Sequence, residues 1–379
     1  MNTKETSYKE YISRINKEKI PCYEPSLNSK EIINLSNVIK SGWLSEKKFT
    51  RTFEKQISKI CQRKYSIAFT NATSALIVGM KSLNIGKGDE VIVPSFTHSA
   101  DPNSISAAGA IPKFAEVDIN SMCLNLNTIK KNVSKKTKAI LYVAVYGNAN
   151  ELDKIEKYCQ KNKIYLIVDA AAALRSTYKN KPISSYGIFA VHSFFADKTI
   201  TTGEGGMLLT NNEKLSQICN LYKHDGRKER GVDKIEKAGL NCRFTELQAA
   251  VGVAQFSKLN LFVKKKIQVY HYYKKLLSKL NDIKVFDYSN QCKAVPHRVV
   301  IFTKKKSSNL IKYLSQNGIG VRTLFMPMNR QPAYNIKKKY KNSEYLFNHG
   351  VCLPSAPVLK KKEIKFVCEK IIKFYEKNK

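Results

Sequence analysis

AILYVAVYGNANELDKIEKYCQKNKIYLIVD, residues 139–169, reads as a strand, a helix and a second strand. Ala139 to Val145 is continuously apolar, Glu151 to Asn162 carries apolar residues at helical spacing, and Ile164 to Val168 is again continuously apolar and ends at Asp169. Strands that are apolar at every position are buried on both faces, the condition of a parallel sheet covered by helices. The fold class is therefore α/β.

The same alternation extends outward from Lys64 to Thr210. Upstream, Tyr65 to Thr70 (YSIAFT) reads as a strand, Ser74 to Leu83 as a helix and Glu90 to Val93 as a strand ending at Pro94. A helix around Asn103 to Ala108 and a strand at Ile111 to Phe114 follow. Downstream, MLLT after Gly206 closes the region, and Thr245 to Leu259 opens a helical stretch reaching, with interruptions, to about Leu280. The remainder holds a strand at Val299 to Thr303 and helices at Ser308 to Asn317 and Lys362 to Tyr375, a second and smaller α/β domain. A length of 379 residues allows two or three domains. The expected division is an N-terminal segment 1–35, a large domain 36–255 and a small C-terminal domain 256–379.

Composition narrows the function. Lys and Arg total 66 against 30 Asp and Glu, a formal charge of +36, which invites a nucleic-acid or membrane-surface reading. Only ten of the basic residues are Arg, the side chain of bidentate phosphate and base recognition, and the lysines are spread along the whole chain. A diffuse lysine surface without a nucleic-acid site is expected, its field drawing in anionic substrates. The polar N-terminus has no apolar core of a secretory signal, and no apolar run reaches the roughly 18 residues of a membrane span. Nine scattered Cys without a C-x-x-C pair fit buried, reduced thiols in a cytoplasmic protein and no metal site.

Ligands of parallel sheets collect at the carboxyl ends of the strands. Asn71-Ala72-Thr73-Ser74-Ala75 sets small residues and hydroxyls at a helix N-terminus, where free N–H groups suit a phosphate; taken alone, an ordinary N-cap is the readier reading, since Ser and Thr cap most helices. Pro94-Ser-Phe-Thr-His98 offers a histidine that a structural role also explains. Asp169 is a strand-end carboxylate followed by four alanines, so a flat ring could lie against that backbone. Ser193-Phe-Phe-Ala-Asp-Lys198 runs into Thr201-Thr-Gly-Glu-Gly-Gly206. Lys198 is one of 56 lysines, and a surface role is the ordinary fate of a lysine. Its context is what distinguishes it. An amine for a Schiff base, a carboxylate for a ring nitrogen and donors for a phosphate are what pyridoxal phosphate requires. A dinucleotide oxidoreductase fits poorly, because no G-x-G-x-x-G follows the first strand.

From about Pro25 to the C-terminus the chain resembles the pyridoxal-phosphate sugar aminotransferases of the DegT/StrS type. The resemblance is carried by SGWLS (41–45), NATSAL (71–76), GDEVIVPSFTHSA (88–100), DAAAAL (169–174), HSFFADKTITTGEGGML (192–208), GLNCRFTELQAAVG (239–252), MPMNRQPAY (326–334) and CLPSAP (352–357). It implies a fold type I transferase, with a mostly parallel seven-stranded sheet between helices and a smaller C-terminal α/β domain. By the same resemblance Lys198 would form the Schiff base and move the proton, Asp169 would pair with the ring nitrogen, and Ala72, Thr73 and Ser193 would hold the phosphate. Asn241 would reach the phosphate of a neighbouring subunit in a homodimer. His98 stands where the family usually stacks an aromatic residue on the ring, and Ala172 where it often has Gln, His or Glu.

The implied reaction moves an amino group, with L-glutamate as donor, to a nucleotide-linked keto sugar in surface polysaccharide or glycan biosynthesis. A small phosphorylated ketone or aldehyde is the alternative acceptor, and a basic nucleic-acid-binding or regulatory protein is a distant one. Trp43, Arg322, Arg330 and His349 are candidate substrate contacts, each also open to a packing or turn role.

Overall fold

The computed structural model describes residue 13 and residues 17–229, 231–334 and 336–376. Most of the polar N-terminal stretch, and with it the first half of the expected segment 1–35, lies outside them.

Seven strands make the main sheet: β1 (Tyr65–Phe69), β2 (Glu90–Pro94), β3 (Ile111–Ala115), β4 (Thr137–Val143), β5 (Tyr165–Asp169), β8 (Phe189–Ser193) and β9 (Gly206–Thr210). Their order is β1-β9-β8-β5-β4-β2-β3. The pairs β2–β3, β2–β4, β4–β5 and β5–β8 are parallel, while β9 runs antiparallel to both β1 and β8. The sheet is thus mostly parallel, as expected, with one strand reversed. The reason lies in the β8–β9 connection, residues 194–205, which contains no helix of the kind that usually carries a crossover back to a parallel strand.

The sheet's apolar strands fill two layers. Ile67, Phe69, Val91, Leu141 and Ile167 pack on one side, and Ile92, Ile140, Tyr142, Leu166 and Val168 on the other. The apolar run from Ala139 ends its strand at Val143, two residues early. The Ala144 N–H is already bonded to the Asp169 carbonyl at 2.9 Å, and Tyr146 turns the chain with φ 52°.

The helices α1 (Ser29–Ser41) and α2 (Lys48–Cys61) precede the sheet. In α2, Phe53, Ile57 and Cys61 recur every four residues on the buried face, a readable helical signal. Phe53 is fully buried against Phe194, ring centroids 4.8 Å apart, at the root of the loop that carries Lys198. Phe53→Ala is expected to lower stability by about 3–5 kcal/mol, the usual cost of emptying a buried aromatic site, read as a shift in denaturant midpoint.

The C-terminal part is a four-stranded antiparallel sheet, β10-β12-β14-β13, built from β10 (Ile283–Val285), β12 (Val299–Thr303), β14 (Gly350–Leu353) and β13 (Arg322–Thr323). Helices Leu259–Leu277, Ser308–Gln316 and Lys361–Glu376 cover it, burying Tyr273, Ile301, Leu314, Val351 and Val367. Two connections cross the expected boundaries. β11 (Cys292–Lys293) pairs with β6 (Thr177–Tyr178), itself paired with β7 (Lys181–Pro182), beside the main sheet. Lys19 and Ile20 both donate backbone bonds to Gly318 O. All nine cysteines are buried and unpaired. Among the described residues no helix is long and apolar enough to cross a membrane.

Candidate active site

The carboxyl edge of the main sheet gathers the chemistry. Asn71 follows β1 and caps the helix Ala72–Ser82, its side chain accepting from Ser74 N at 2.8 Å. First-turn geometry leaves the Ala72 and Thr73 N–H groups outside the intrahelical ladder, pointing past the helix end. Gly206 lies beside them. It pairs with Phe69 on one side and Ser193 on the other, and a Cβ there would come within 2.4 Å of Ala72 N and of Asn71. Only a glycine permits this approach, which sets Ser193 alongside the helix N-terminus.

Asp169 ends β5, is 8% exposed, and accepts the Ala171 N–H at 2.8 Å. Burial raises its carboxyl above the usual range, while that N–H and the positive charge of Lys198 pull the other way. Behind it lies Asp101, a buried carboxyl in contact with Asp169.

Lys198 sits in the tight return between β8 and β9. Its N–H donates to Phe195 O at 3.0 Å, Thr202 N–H to Phe194 O at 2.9 Å, and Thr201 Oγ1 to Phe194 O at 3.0 Å. Gly203, with φ 80°, supplies the left-handed turn. The side chain of Lys198 meets a cluster that the sequence reading did not find. Asp197 Oδ1 is 3.4 Å from Lys198 Nζ, and Asp197 Oδ2 is 2.6 Å from Arg298 Nη2 and 3.6 Å from His297 Nε2. Burial alone would raise the Asp197 carboxyl, yet His297, Lys198 and Arg298 together hold it far below the carboxylate range.

Burial depresses His297 to about 3, with Lys198 adding to the effect, so it is neutral near pH 7. Lys266 lies in the same cluster. Burial, then Arg298, lowers it to about 7, and its amine is held by His297 O at 3.1 Å and Ser355 O at 3.3 Å. Asp197 was open to discovery from its place before Lys198. His297, Arg298 and Lys266 carried no local signal.

His98 follows β2 at the mouth of the site. Its Nδ1 accepts the Ala100 N–H at 3.1 Å, and its ring meets Phe325 edge-on at 6.0 Å. Burial and Lys198 lower its pKa, against Asp169 and Asp197. Phe325 stacks on Tyr146 at 5.5 Å, and Met328 N–H donates to Ser95 O at 2.8 Å, so the 322–330 segment closes over the end of β2. The arginines of that segment are engaged elsewhere. Arg330 pairs with Glu344 and covers Phe347, while Arg322 lies over Tyr23 at 5.3 Å.

The remaining candidates lie apart. His349 stacks on Tyr345 at 4.3 Å and bonds Thr303 O at 2.9 Å, at the edge of the small sheet. Trp43 is exposed, with Lys47 over its ring at 4.7 Å. Asn241 is exposed and bridges by backbone to His224.

The profile of the DegT/DnrJ/EryC1/StrS aminotransferase family matches residues 25–372. The chain belongs to this family. A GDP-perosamine synthase of Escherichia coli O157:H7 is 33% identical over 363 residues, covering 94% of this chain and 98% of that protein. A Streptococcus pneumoniae aminotransferase solved in its PLP form superposes with a TM-score of 0.90 at 23% identity, covering 94% of this chain and 99% of that one. The Helicobacter pylori aminotransferase PseC, involved in the biosynthesis of pseudoaminic acid, gives a TM-score of 0.90 at 24% identity, with 94% and 99% covered.

Membership of the DegT/DnrJ/EryC1/StrS family makes the protein an aminotransferase that uses pyridoxal 5′-phosphate. The donor set suits that cofactor: an amine at Lys198, a strand-end carboxylate at Asp169, and an open helix N-terminus kept approachable by Gly206. Gly206→Ala is expected to push Ala72 and Ser193 apart. Turnover should fall by about 10²-fold, the scale of an ångström's misplacement, and cofactor affinity should fall with it in a spectral titration.

Proposed function

We propose that the protein transfers an amino group from L-glutamate to a nucleotide-linked keto sugar, yielding a nucleotide-linked amino sugar for surface polysaccharide or glycan. The similarity to a GDP-perosamine synthase over nearly the full length of both chains carries this reading. The convergence of Lys198, Asp169 and the Ala72–Thr73 turn on one sheet edge supports it chemically.

When bound, the cofactor supplies an electron sink for the negative charge left when a carbon-bound proton departs. The rest falls to this chain. Ala72 and Thr73 N–H groups with the Ser193 hydroxyl would hold the phosphate, and Asp169, one oxygen fixed by Ala171, would serve the ring nitrogen. His98 would be the side chain lying against the ring. Lys198 Nζ, as a free amine, would be the base that takes up and gives back the carbon-bound proton in both the donor and the acceptor half-reaction. Asp197 gives that amine a defined resting place 3.4 Å away.

The chain functions as a cytoplasmic homodimer divided as 1–35, 36–255 and 256–379, with Asn241 reaching the partner's phosphate. Exposed Leu27, Ile32, Ile33, Ile39, Trp43 and Leu44 on and beside α1 form an apolar face of the kind a second copy would cover. Trp43, Arg322, Arg330 and His349 remain in the proposal as acceptor contacts, Arg322 and Arg330 on condition that a diphosphate draws them from Tyr23 and Glu344.

The test charges the purified protein with the cofactor, records its visible spectrum, then adds L-glutamate and a panel of GDP-, dTDP- and UDP-linked keto sugars. Release of 2-oxoglutarate matched by an amino sugar is expected. A protein that cannot be charged, or that releases no 2-oxoglutarate with any keto sugar, overturns the reading.

A further inference from the structure

Asp101 lies in the first turn of the helix Ala100–Ala107 and is fully buried. Thr97 Oγ1 donates a hydrogen bond to Asp101 Oδ2. Oδ1 is equally buried and has no hydrogen-bond donor among the described residues. What lies within hydrogen-bonding reach is a second carboxyl, Asp169. Two carboxylates in contact away from water do not both ionise, because each has lost hydration and each repels the other.

The groups facing the pair decide which member keeps the proton. Asp169 has the Ala171 N–H on Oδ1, with Lys198 and His98 on its open side. Asp101 has the Thr97 hydroxyl, the start of a short helix and the charge of Lys198 but, among the described residues, no backbone N–H on its second oxygen. A helix N-terminus favours an anion only modestly, which does not match full burial beside another negative charge. Burial first, then Asp169, pushes the Asp101 carboxyl well above the usual range.

We propose that Asp101 is a proton-carrying carboxyl that donates a hydrogen bond to Asp169 and so positions that carboxylate for the ring nitrogen of the cofactor. One proton resolves the orphaned oxygen: Asp101 donates it and Asp169 accepts. The Asp169 carboxylate is then gripped by two donors, neither of which neutralises it, and its full charge remains for the ring. Asp101 touches no reacting atom and is a positioning residue. The role toward the ring rests on the reading of Asp169 proposed above; the shared proton stands on the carboxyl pair alone.

The experiment compares wild type with Asp101→Asn and Asp101→Ala, in cofactor-free and cofactor-charged protein. In the cofactor-free protein, infrared difference spectra between wild type and Asp101→Asn should show a protonated-carboxyl band present only in wild type. Thermal midpoints against pH give a second readout. A carboxyl whose folded pKa lies above its unfolded value contributes stability that is full below the unfolded pKa and is lost as pH rises through the folded one. Wild type should therefore lose ground to Asp101→Asn as pH rises.

In the charged enzyme the Asn amide donates the same hydrogen bond, so kcat should stay within about threefold of wild type. Asp101→Ala should lower kcat by about tenfold to a hundredfold, the worth of a hydrogen bond to a charged group, with KM for glutamate unchanged. Absence of the infrared band, or an Asn variant as impaired as the Ala variant, overturns the proposal. A wild type that shows the band but cannot be charged with cofactor overturns the role toward the ring and the reading of Asp169 together.

Discussion

Replacing Lys198 with alanine is expected to abolish turnover, by at least about 10⁴-fold, and to remove the visible band of the protein-bound cofactor. A positioned acid–base group alone is worth about 10²–10⁴-fold, and this amine both attaches the cofactor and moves the proton. Folding should survive, because the loop is pinned by the backbone bonds of Phe194, Phe195 and Thr202 and not by the lysine side chain. Asp197 keeps Arg298 as its partner at 2.6 Å, so no buried charge is stranded. Circular dichroism and denaturant midpoints should therefore match wild type while absorbance and rate collapse. An Ala variant that keeps its band and its rate would remove Lys198 from the chemistry.

Replacing Asp169 with asparagine is expected to lower kcat by about 10²–10³-fold, the scale found when a preorganised charge is taken from a site. The amide keeps the shape and can still accept from Ala171 N–H, but it cannot hold a positive charge on the ring nitrogen. Cofactor attachment through Lys198 should persist, so the band should remain with altered position and pH dependence. The loss should fall on kcat and not on KM for glutamate, because the carboxylate acts on the cofactor's electronics. Unchanged kcat in this variant would mean that the ring nitrogen is served by another group.

The main sheet was legible because its strands announce themselves locally. Ala139 to Val145 and Ile164 to Val168 are apolar at every position, which only burial on both faces explains. The reversal of β9 was not legible, since a strand's direction depends on whether its connection holds a helix, and MLLT reads the same either way. The strand-end rule led to Asp169, Ser193 and Lys198, because sequence order alone places them at the carboxyl edge. Nothing local marked Arg298, whose guanidinium meets Cys22 O across 276 residues of chain. Asp101 was hidden differently. An aspartate at the start of a helix looks like an ordinary first-turn residue, and only the packing of β5 beside it reveals a carboxyl pair.

Arg298 ties its own segment to two distant parts of the chain. It donates to Cys22 O at 2.9 Å, grips Asp197 at 2.6 Å, and shares the faces of the Tyr23 ring with Arg322, each guanidinium 5.3 Å from its centre. Synthesis runs from one end of the chain to the other, and domains fold as they emerge. All seven strands of the main sheet are complete once residue 210 has been made, yet the clamp on Asp197 waits for residue 298. A nascent chain between those points can hold a finished sheet and an unfinished site, with Asp197 beside Lys198 still without its Arg298 partner. The contacts around Lys198 are thereby completed only when nearly four-fifths of the polypeptide exists.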